Sequence, residues 1–166
     1  MLFLTLISFL VFYYLGTSDA SPTSSYKFYN KRTASYLVSS LPLVDFPIGE
    51  LYTGNVPIDK NDLNRTLFFA FKPATTAERV NHTTVWLNGG PGCSSLVGFF
   101  QENGPIVWEQ GTLGPVENPD AWSTVTNMLW VEYPVGVGFT TELITGYDEV
   151  DIAKDFVGFF QELGRS

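Results

Sequence analysis

The sequence is poor in cysteine and histidine, with one of each among its 166 residues. Because Cys93 stands alone, no disulfide can close within the chain. The thiol is free, bonded to another molecule or paired with a cysteine outside these residues. A serine–histidine mechanism would have to use His82, which lies between Asn81 and Thr83 and is expected on a solvated loop. We predict neither a metal site nor a cofactor.

The chain also lacks an excess of basic residues. It has 9 Lys and Arg against 17 Asp and Glu, so its formal net charge is −8. A nucleic-acid-binding surface needs a basic stripe, so we expect no nucleic-acid partner. Hydrophobic residues make up 45% of the chain and aromatic residues 16%, which is typical of a folded globular protein.

Long apolar runs are absent except at the N-terminus. Residues 2–16 are almost wholly apolar, and Ser18 and Ala20 supply the small side chains of a cleavage site after Ala20. We interpret residues 1–20 as a signal peptide, although no basic residue precedes the run; an uncleaved membrane anchor is the alternative. No other run is long enough to cross a bilayer. We therefore expect a secretory-pathway protein, secreted or resident in the vacuole or lysosome, or in the late Golgi.

Two further features fit that route. Asn64 and Asn81 each begin an Asn-x-Thr tripeptide, and each is expected beside a strand on the surface that N-glycosylation requires. Residues 21–33 form a polar N-terminal segment that contains the dibasic pair Lys31-Arg32. This pair is a processing site or, as we favour, two solvated charges.

The periodicity of apolar residues predicts an α/β protein. Four short β-rich runs are expected to be strands: Tyr52–Pro57, Leu67–Phe71, Thr84–Leu87 and Met128–Tyr133. Ser94–Glu102 is predicted as a helix that serines could cap. Asp148–Leu163 is the clearest helix, with acids in its first turn. Its expected apolar face consists of Val150, Ala153, Phe156, Val157, Phe160 and Leu163.

The richest motif is the run WLNGGPGCSS, from Trp86 to Ser95. Gly89, Gly90 and Gly92 follow a predicted strand, and glycine leaves its amide N–H uncovered. Such a loop can direct N–H groups at a developing negative charge, as an oxyanion hole does. A tight surface turn without chemistry is the alternative, and glycines alone would favour it.

The motif resembles the signature of the serine carboxypeptidases, a family with an α/β-hydrolase fold that removes C-terminal residues from peptides. Further blocks are similar in the same order: the family's "NPxxW" turn at 118–122, its "DQPVGxGFSY" strand end near 132–139 and its "EEVAKDFxxFF" helix at 149–160. The resemblance runs from about Ala34 to the C-terminus, so we assign residues 34–166 to the N-terminal part of such a domain, with part of the central sheet and its flanking helices.

The nucleophile of that fold is not found in this chain. An α/β-hydrolase carries its serine in a G-x-S-x-G elbow. The nearest match, residues 92–96, has Leu96 where the closing glycine is needed. We therefore expect the N-terminal portion of a carboxypeptidase, inactive by itself because the triad is absent. A catalytically inactive secreted binding protein, or an acyltransferase or esterase on the same scaffold, are the alternatives.

The resemblance implies roles for particular residues. Gly90 would supply an oxyanion-hole N–H, while Trp86, Asn88, Gly89 and Glu102 would bind the free C-terminal carboxylate of a peptide or protein substrate. A carboxylate can bind beside Glu102 only if the two share a proton, which implies an acidic optimum. The residues alone favour an exposed helix glutamate at 102, and Asn88 could equally be a turn residue.

Two more implications follow from the resemblance. Cys93 would pair with a cysteine beyond residue 166. The family usually has Asp-Gln before its Pro-Val-Gly, whereas this chain has Glu132-Tyr133. That departure weakens any prediction about the loop that follows.

Overall fold

A computed structural model of the chain describes residues 25–90, 92–108, 110–142 and 148–165. The predicted signal peptide, residues 1–20, lies outside the described residues, as do Pro91 of the glycine-rich motif and residues 21–24 of the polar segment. Among the described helices, none has both the length and the apolar character that crossing a membrane requires.

The fold is built on a four-stranded mixed sheet. Strands β1 (Tyr52–Asp59) and β2 (Asp62–Lys72) form an antiparallel hairpin, and β3 (Thr83–Trp86) lies at the other edge. Two short strands, β4 (Ile106–Val107) and β5 (Val116–Glu117), pair separately. Strand β6 (Asn127–Val131) runs between β2 and β3, giving the order β1-β2-β6-β3.

All four predicted strands are present, with shifted ends. The hairpin extends to Asp59 and Asp62, and β6 ends at Val131 rather than at Tyr133. Asn64 consequently lies inside β2, not beside a strand as predicted, although it remains exposed. Asn81 is exposed just before β3, as expected. Whether either carries a glycan remains a prediction.

Every residue of β6 is buried, because the strand has apolar groups on both of its faces. Leu129 and Val131 face one hydrophobic cluster, which includes Phe69 and Phe159. Met128 and Trp130 face a second cluster with Leu51, Ala70, Phe99 and Ile106. The buried strand β6 thus holds its parallel neighbour β3 in place, and the glycine-rich loop begins at the carboxyl end of β3.

Helix α1 (Glu149–Leu163) covers the sheet on the β1 side. Asp148 caps it, since its side chain accepts a hydrogen bond from the Asp151 backbone N–H at 2.9 Å. The predicted apolar face is partly wrong. Phe156 and Leu163 do pack on the core, but the fully buried side chain is Phe159. The predicted residues Val150, Ala153, Val157 and Phe160 are exposed.

Helix α1 is rotated about its axis relative to the predicted orientation, because its backbone approaches that of β1 closely. A Cβ atom at Gly158 would lie 2.1 Å from the carbonyl oxygen of Ile58 in β1. Only glycine permits this contact, and it turns the Phe159 side of the helix toward the sheet. The sequence period predicted an amphipathic helix but did not reveal which stripe the sheet would cover.

The polar N-terminal segment is packed against the hairpin from Lys27 onward. The buried carboxylate of Glu50 accepts hydrogen bonds from the backbone N–H groups of Lys27 and Phe28, at 2.8 and 2.7 Å. Lys31 and Arg32 are both exposed in a turn, as solvated charges would be. Processing at this pair remains an alternative.

Candidate functional site

The candidate site lies at the carboxyl end of β3. Strands β3 and β6 are parallel, with Trp86 paired with Trp130, so both strands end at the same edge of the sheet. Ligands of open α/β sheets bind beyond the carboxyl ends of the strands. The glycine-rich loop begins at this edge, and Glu132 follows β6 beside it.

Asn88 is the centre of a hydrogen-bond network at this edge. Its Oδ1 accepts from Trp86 Nε1 at 2.8 Å and from the backbone N–H of Gly98 at 3.3 Å. Its Nδ2 donates to Glu102 Oε1 at 3.3 Å. Trp86, Asn88 and Glu102, which the resemblance grouped, are therefore joined in one chain of hydrogen bonds.

Glu102 reaches the network from a π-helix, not from the regular helix predicted over Ser94–Glu102. The π-helix spans Gly98–Glu102, and the N–H groups of Asn103 and Gly104 both donate to the Gly98 carbonyl, at 2.9 and 3.1 Å. Such wide turns are rare and occur often at functional sites. The extra residue in the turn sets where the Glu102 side chain leaves the backbone.

Gly98 is required by the packing around Trp86. A Cβ atom at this position would lie 2.2 Å from Trp86 Nε1. The indole is further held by Trp122, whose ring packs edge-on at a centroid distance of 5.5 Å. Trp86 is therefore fixed in the orientation that directs its N–H at Asn88.

The glycine loop exposes its backbone beside this network. Gly89, Gly90 and Gly92 are exposed, and φ is 144° at Gly90 and 109° at Gly92, values that favour glycine. Among the residues that the structure describes, the N–H groups of Gly89 and Gly90 have no hydrogen-bond acceptor. Two uncovered donors next to the Asn88 amide can receive an anionic group.

Cys93 and His82, two other residues singled out from the sequence, take no part in this network. Cys93 is exposed, and within the described residues its thiol is free. Its predicted disulfide remains a prediction. His82 is exposed before β3, at the opposite end of that strand from Asn88, so it cannot serve a reaction at the glycine loop.

Three supporting residues were not predicted as site residues. Ser95 is fully buried and its Oγ accepts from the Asn88 backbone N–H at 3.1 Å. Ser94 Oγ donates to Glu132 Oε1 at 2.6 Å. The contact between Ser94 and Glu132 joins residues 38 positions apart, so nothing in the sequence indicated it. The contact between Asn88 and Ser95 lies within the glycine-rich motif but depends on how that loop folds back on itself.

Comparisons with known proteins agree on one family. The serine carboxypeptidase family model matches residues 42–163. A serine-type carboxypeptidase F from Aspergillus niger is 54% identical over 140 residues, which are 84% of this chain and 26% of that protein. A carboxypeptidase Y homolog from Arthroderma benhamiae is 50% identical over 123 residues, 74% of this chain and 24% of that protein. The chain thus spans about a quarter of the length of these relatives.

A solved structure supports the fold. The prohormone-processing carboxypeptidase Kex1(Δ)p from Saccharomyces cerevisiae superposes with a TM-score of 0.66 at 24% identity, over 80% of this chain and 32% of that one. The predicted fold class, part of an α/β-hydrolase sheet with flanking helices, is confirmed.

Proposed function

The chain belongs to the serine carboxypeptidase family, and we propose that it forms the part of such an enzyme that holds the C-terminal carboxylate of a peptide. Asn88, Gly89 and Glu102 bind that carboxylate in this proposal, and Trp86 orients Asn88. Gly90 supplies an N–H to the oxyanion. Peptides and proteins with a free C-terminus are the substrates.

One observation carries this proposal: the orientation of the Asn88 amide. Its Oδ1 already accepts two hydrogen bonds, from Trp86 Nε1 and the Gly98 N–H. The amide oxygen is thus satisfied, and only the Nδ2 group, with two N–H donors, faces outward. One N–H is directed at Glu102 Oε1, which leaves the other for an incoming acceptor such as a carboxylate oxygen.

The adjacent acid sets a condition on binding. Glu102 is exposed at the end of the π-helix, within reach of Asn88 Nδ2. Two ionised carboxylates at contact repel each other, so the complex must hold a proton between them. Binding therefore takes up a proton, and the affinity for a free carboxylate falls as the pH rises. An enzyme built on this site works best in acid.

The hydrolytic step needs a nucleophile from outside these residues. The chain has no G-x-S-x-G sequence, and its only histidine is at the far end of β3. In the reaction, a serine oxygen adds to the last peptide carbonyl and the amino acid leaves; water then releases the acyl group. Gly90 would stabilise the tetrahedral oxyanion in both halves. The chain alone is expected to bind but not to turn over.

The proposed setting is the secretory pathway. A signal peptide over residues 1–20, glycans at Asn64 and Asn81, and a Cys93 disulfide with a partner outside these residues all suit a secreted, vacuolar or lysosomal, or late-Golgi enzyme. An acidic compartment would also suit the proton shared at Glu102.

Nuclear magnetic resonance can test the binding site directly. The ¹⁵N-labelled chain is titrated at acidic pH with an N-blocked dipeptide that has a free C-terminus, and with its C-terminal amide. The free acid should shift the Asn88 side-chain amide and the Gly89 and Gly90 backbone signals, and should bind at least about tenfold more tightly than the amide. Equal affinities would contradict the carboxylate assignment. Release of the terminal amino acid by the chain alone would contradict the assignment of the nucleophile to other residues.

A further inference from the structure

A buried carboxylate lies beneath the glycine loop and is not used by the site described above. Glu132 follows β6, is 1% exposed, and its backbone N–H donates to the carbonyl of Phe68 in β2 at 2.9 Å. Its Oε1 accepts from Ser94 Oγ at 2.6 Å and from the Leu96 backbone N–H at 3.2 Å. The acid is therefore anchored to the sheet and bound to the segment that ends the glycine loop.

The segment from Ser94 to Leu96 is also bound to the residue that begins the glycine loop. Asn88 begins the loop, and its backbone N–H donates to Ser95 Oγ at 3.1 Å. The residues from Ser94 to Leu96 are thus held on one side by Glu132 and on the other by Asn88. Because both ends of the intervening loop are tied, its backbone has fewer conformations available than a free glycine-rich loop would have.

The remaining carboxylate oxygen is enclosed. Oε2 of Glu132 is buried and has no hydrogen-bond partner among the described residues. It lies against Gly138, where a Cβ atom would come within 2.0 Å of it. Burying an acid with one oxygen unpaired is unfavourable, and a glutamine would accept the same two hydrogen bonds from Ser94 and Leu96. The fold therefore does not need an acid here for these contacts, but it does need a long acceptor.

We propose that Glu132 is a positioning residue for the glycine loop. By holding Ser94 and Leu96 against the end of β6, it keeps the backbone of Gly89 and Gly90, with its two exposed N–H groups, in place beside Asn88. Glu132 does not touch the ligand; it acts through Ser94, Ser95 and Asn88. This inference rests on the proposed function, since it assigns those two N–H groups to an anionic ligand.

The test compares three substitutions with a matched control. Glu132→Leu removes the acceptor at similar volume, Glu132→Gln keeps it, and Ser94→Ala removes the donor of the shorter bond. Glu50→Leu is the control, because Glu50 is also buried and its carboxylate accepts hydrogen bonds from two backbone N–H groups, but these hold the N-terminal segment instead of the glycine loop. Amide hydrogen exchange at Gly89, Gly90 and Leu96 is measured without ligand, and affinity for the blocked free-acid dipeptide is measured on the folded chain.

Glu132→Leu should speed exchange at Leu96 at least about tenfold and weaken binding of the free acid by a similar factor. Ser94→Ala should give a smaller change in the same direction. Glu132→Gln keeps the acceptor, so it should retain slow exchange at Leu96 and binding of the free acid close to those of the unchanged chain. Glu50→Leu should lower the melting temperature without changing affinity below the transition. If Glu132→Leu does not fold, the Ser94→Ala and Glu132→Gln pair decides the question.

Two outcomes separate this inference from the proposed function. Wild-type exchange and affinity in Ser94→Ala and Glu132→Leu would overturn the role of Glu132, even if the chain prefers the free acid to the amide. If the unchanged chain shows no such preference, the proposed function fails. The exchange rates, which need no ligand, then still show whether Glu132 orders the loop.

Discussion

Trp86 Nε1 donates a hydrogen bond to Asn88 Oδ1 at 2.8 Å, and this contact determines which end of the amide faces outward. The two ends of an asparagine amide are nearly isosteric, so their orientation has to be assigned from hydrogen-bond partners. Here the partner is an indole, which can only donate. The indole of Trp86 thus holds the Asn88 oxygen and leaves the Nδ2 group of Asn88 as the donor that faces outward.

Exchanging the Asn88 Nδ2 donor for an acceptor should strongly weaken carboxylate binding. Asn88→Asp keeps an oxygen for Trp86 and Gly98, but it places a negative charge where the Nδ2 donor was. Repulsion by the ligand carboxylate and by Glu102 should weaken binding of a free-acid dipeptide by about a hundredfold or more. Calorimetric titration measures this. Binding within a factor of about three of wild type would place the carboxylate elsewhere.

Gly98 should be intolerant of even one added methyl group. The Cβ of Gly98→Ala would overlap the Trp86 indole, with a contact of 2.2 Å. Overpacking of this kind costs about 1–3 kcal/mol, and the displaced indole should release Asn88. Gly114→Ala is the control, because no atom lies within 4 Å of the position that its added methyl group would take. Urea unfolding should show a lower free energy of unfolding for Gly98→Ala and no change for Gly114→Ala.

The strands could be predicted from the sequence because their apolar runs are short, β-branched and separated by turn residues. Strand β6 is an example: its residues Asn127–Val131 are all buried, and the predicted run differed only at its ends. The site could not be predicted in this way. Trp86, Asn88 and Glu102 were grouped only by resemblance to a family, since a regular helix through Glu102 would have set a different position for that side chain than the π-helix does.

Tertiary contacts explain the other differences. The wrong helix face arose because Gly158 meets Ile58, a contact between residues that are distant in the sequence. Glu132 was not predicted as a supporting residue, since nothing in a run of apolar residues ending in an acid indicates that the acid will be 1% exposed. Its partners Ser94 and Leu96 are on another segment.

Helix α1 offers a test of the observed face against the predicted one. Phe159 is fully buried, whereas Val157 is 57% exposed. Phe159→Ala should destabilise the chain by about 3–5 kcal/mol, because it leaves a cavity against Phe69 and β1. Val157→Ala should change stability by no more than about 0.5 kcal/mol. Equal effects in denaturant unfolding would mean that the helix is docked on the stripe predicted from the sequence.

The chain should lose stability in alkali through Tyr52. Burial, followed by the hydrogen bond and the charge of Glu50, raises the pKa of the Tyr52 phenol above its ordinary value. The folded state therefore keeps the proton when the unfolded chain loses it, and stability falls as the pH rises above about 10. Tyr52→Phe should flatten that fall in urea unfolding measured across the alkaline range. Tyr29→Phe, which removes an exposed phenol, should leave the slope unchanged.

Glu102 gives the sharpest test of how the site selects a C-terminus. In the unchanged chain, affinity for the free-acid dipeptide should fall as the pH rises, because the complex holds a proton between two carboxylates. Glu102→Gln can donate to the ligand carboxylate without that proton, so its affinity should no longer depend on pH in this range. Glu102→Ala loses the contact altogether and should bind the free acid roughly ten- to a hundredfold more weakly in acid, for the loss of about 1.5–3 kcal/mol.

The amidated dipeptide supplies the internal control, since it brings no carboxylate and needs no shared proton. Its affinity should be low and nearly the same in all three proteins at every pH. Titrating both ligands into each protein across the acidic to neutral range measures the ratio of the free-acid affinity to the amide affinity at each pH. A pH dependence that persists in Glu102→Gln would mean that another group takes up the proton. Glu102 would then be an exposed helix acid whose contact with Asn88 Nδ2 has no part in binding.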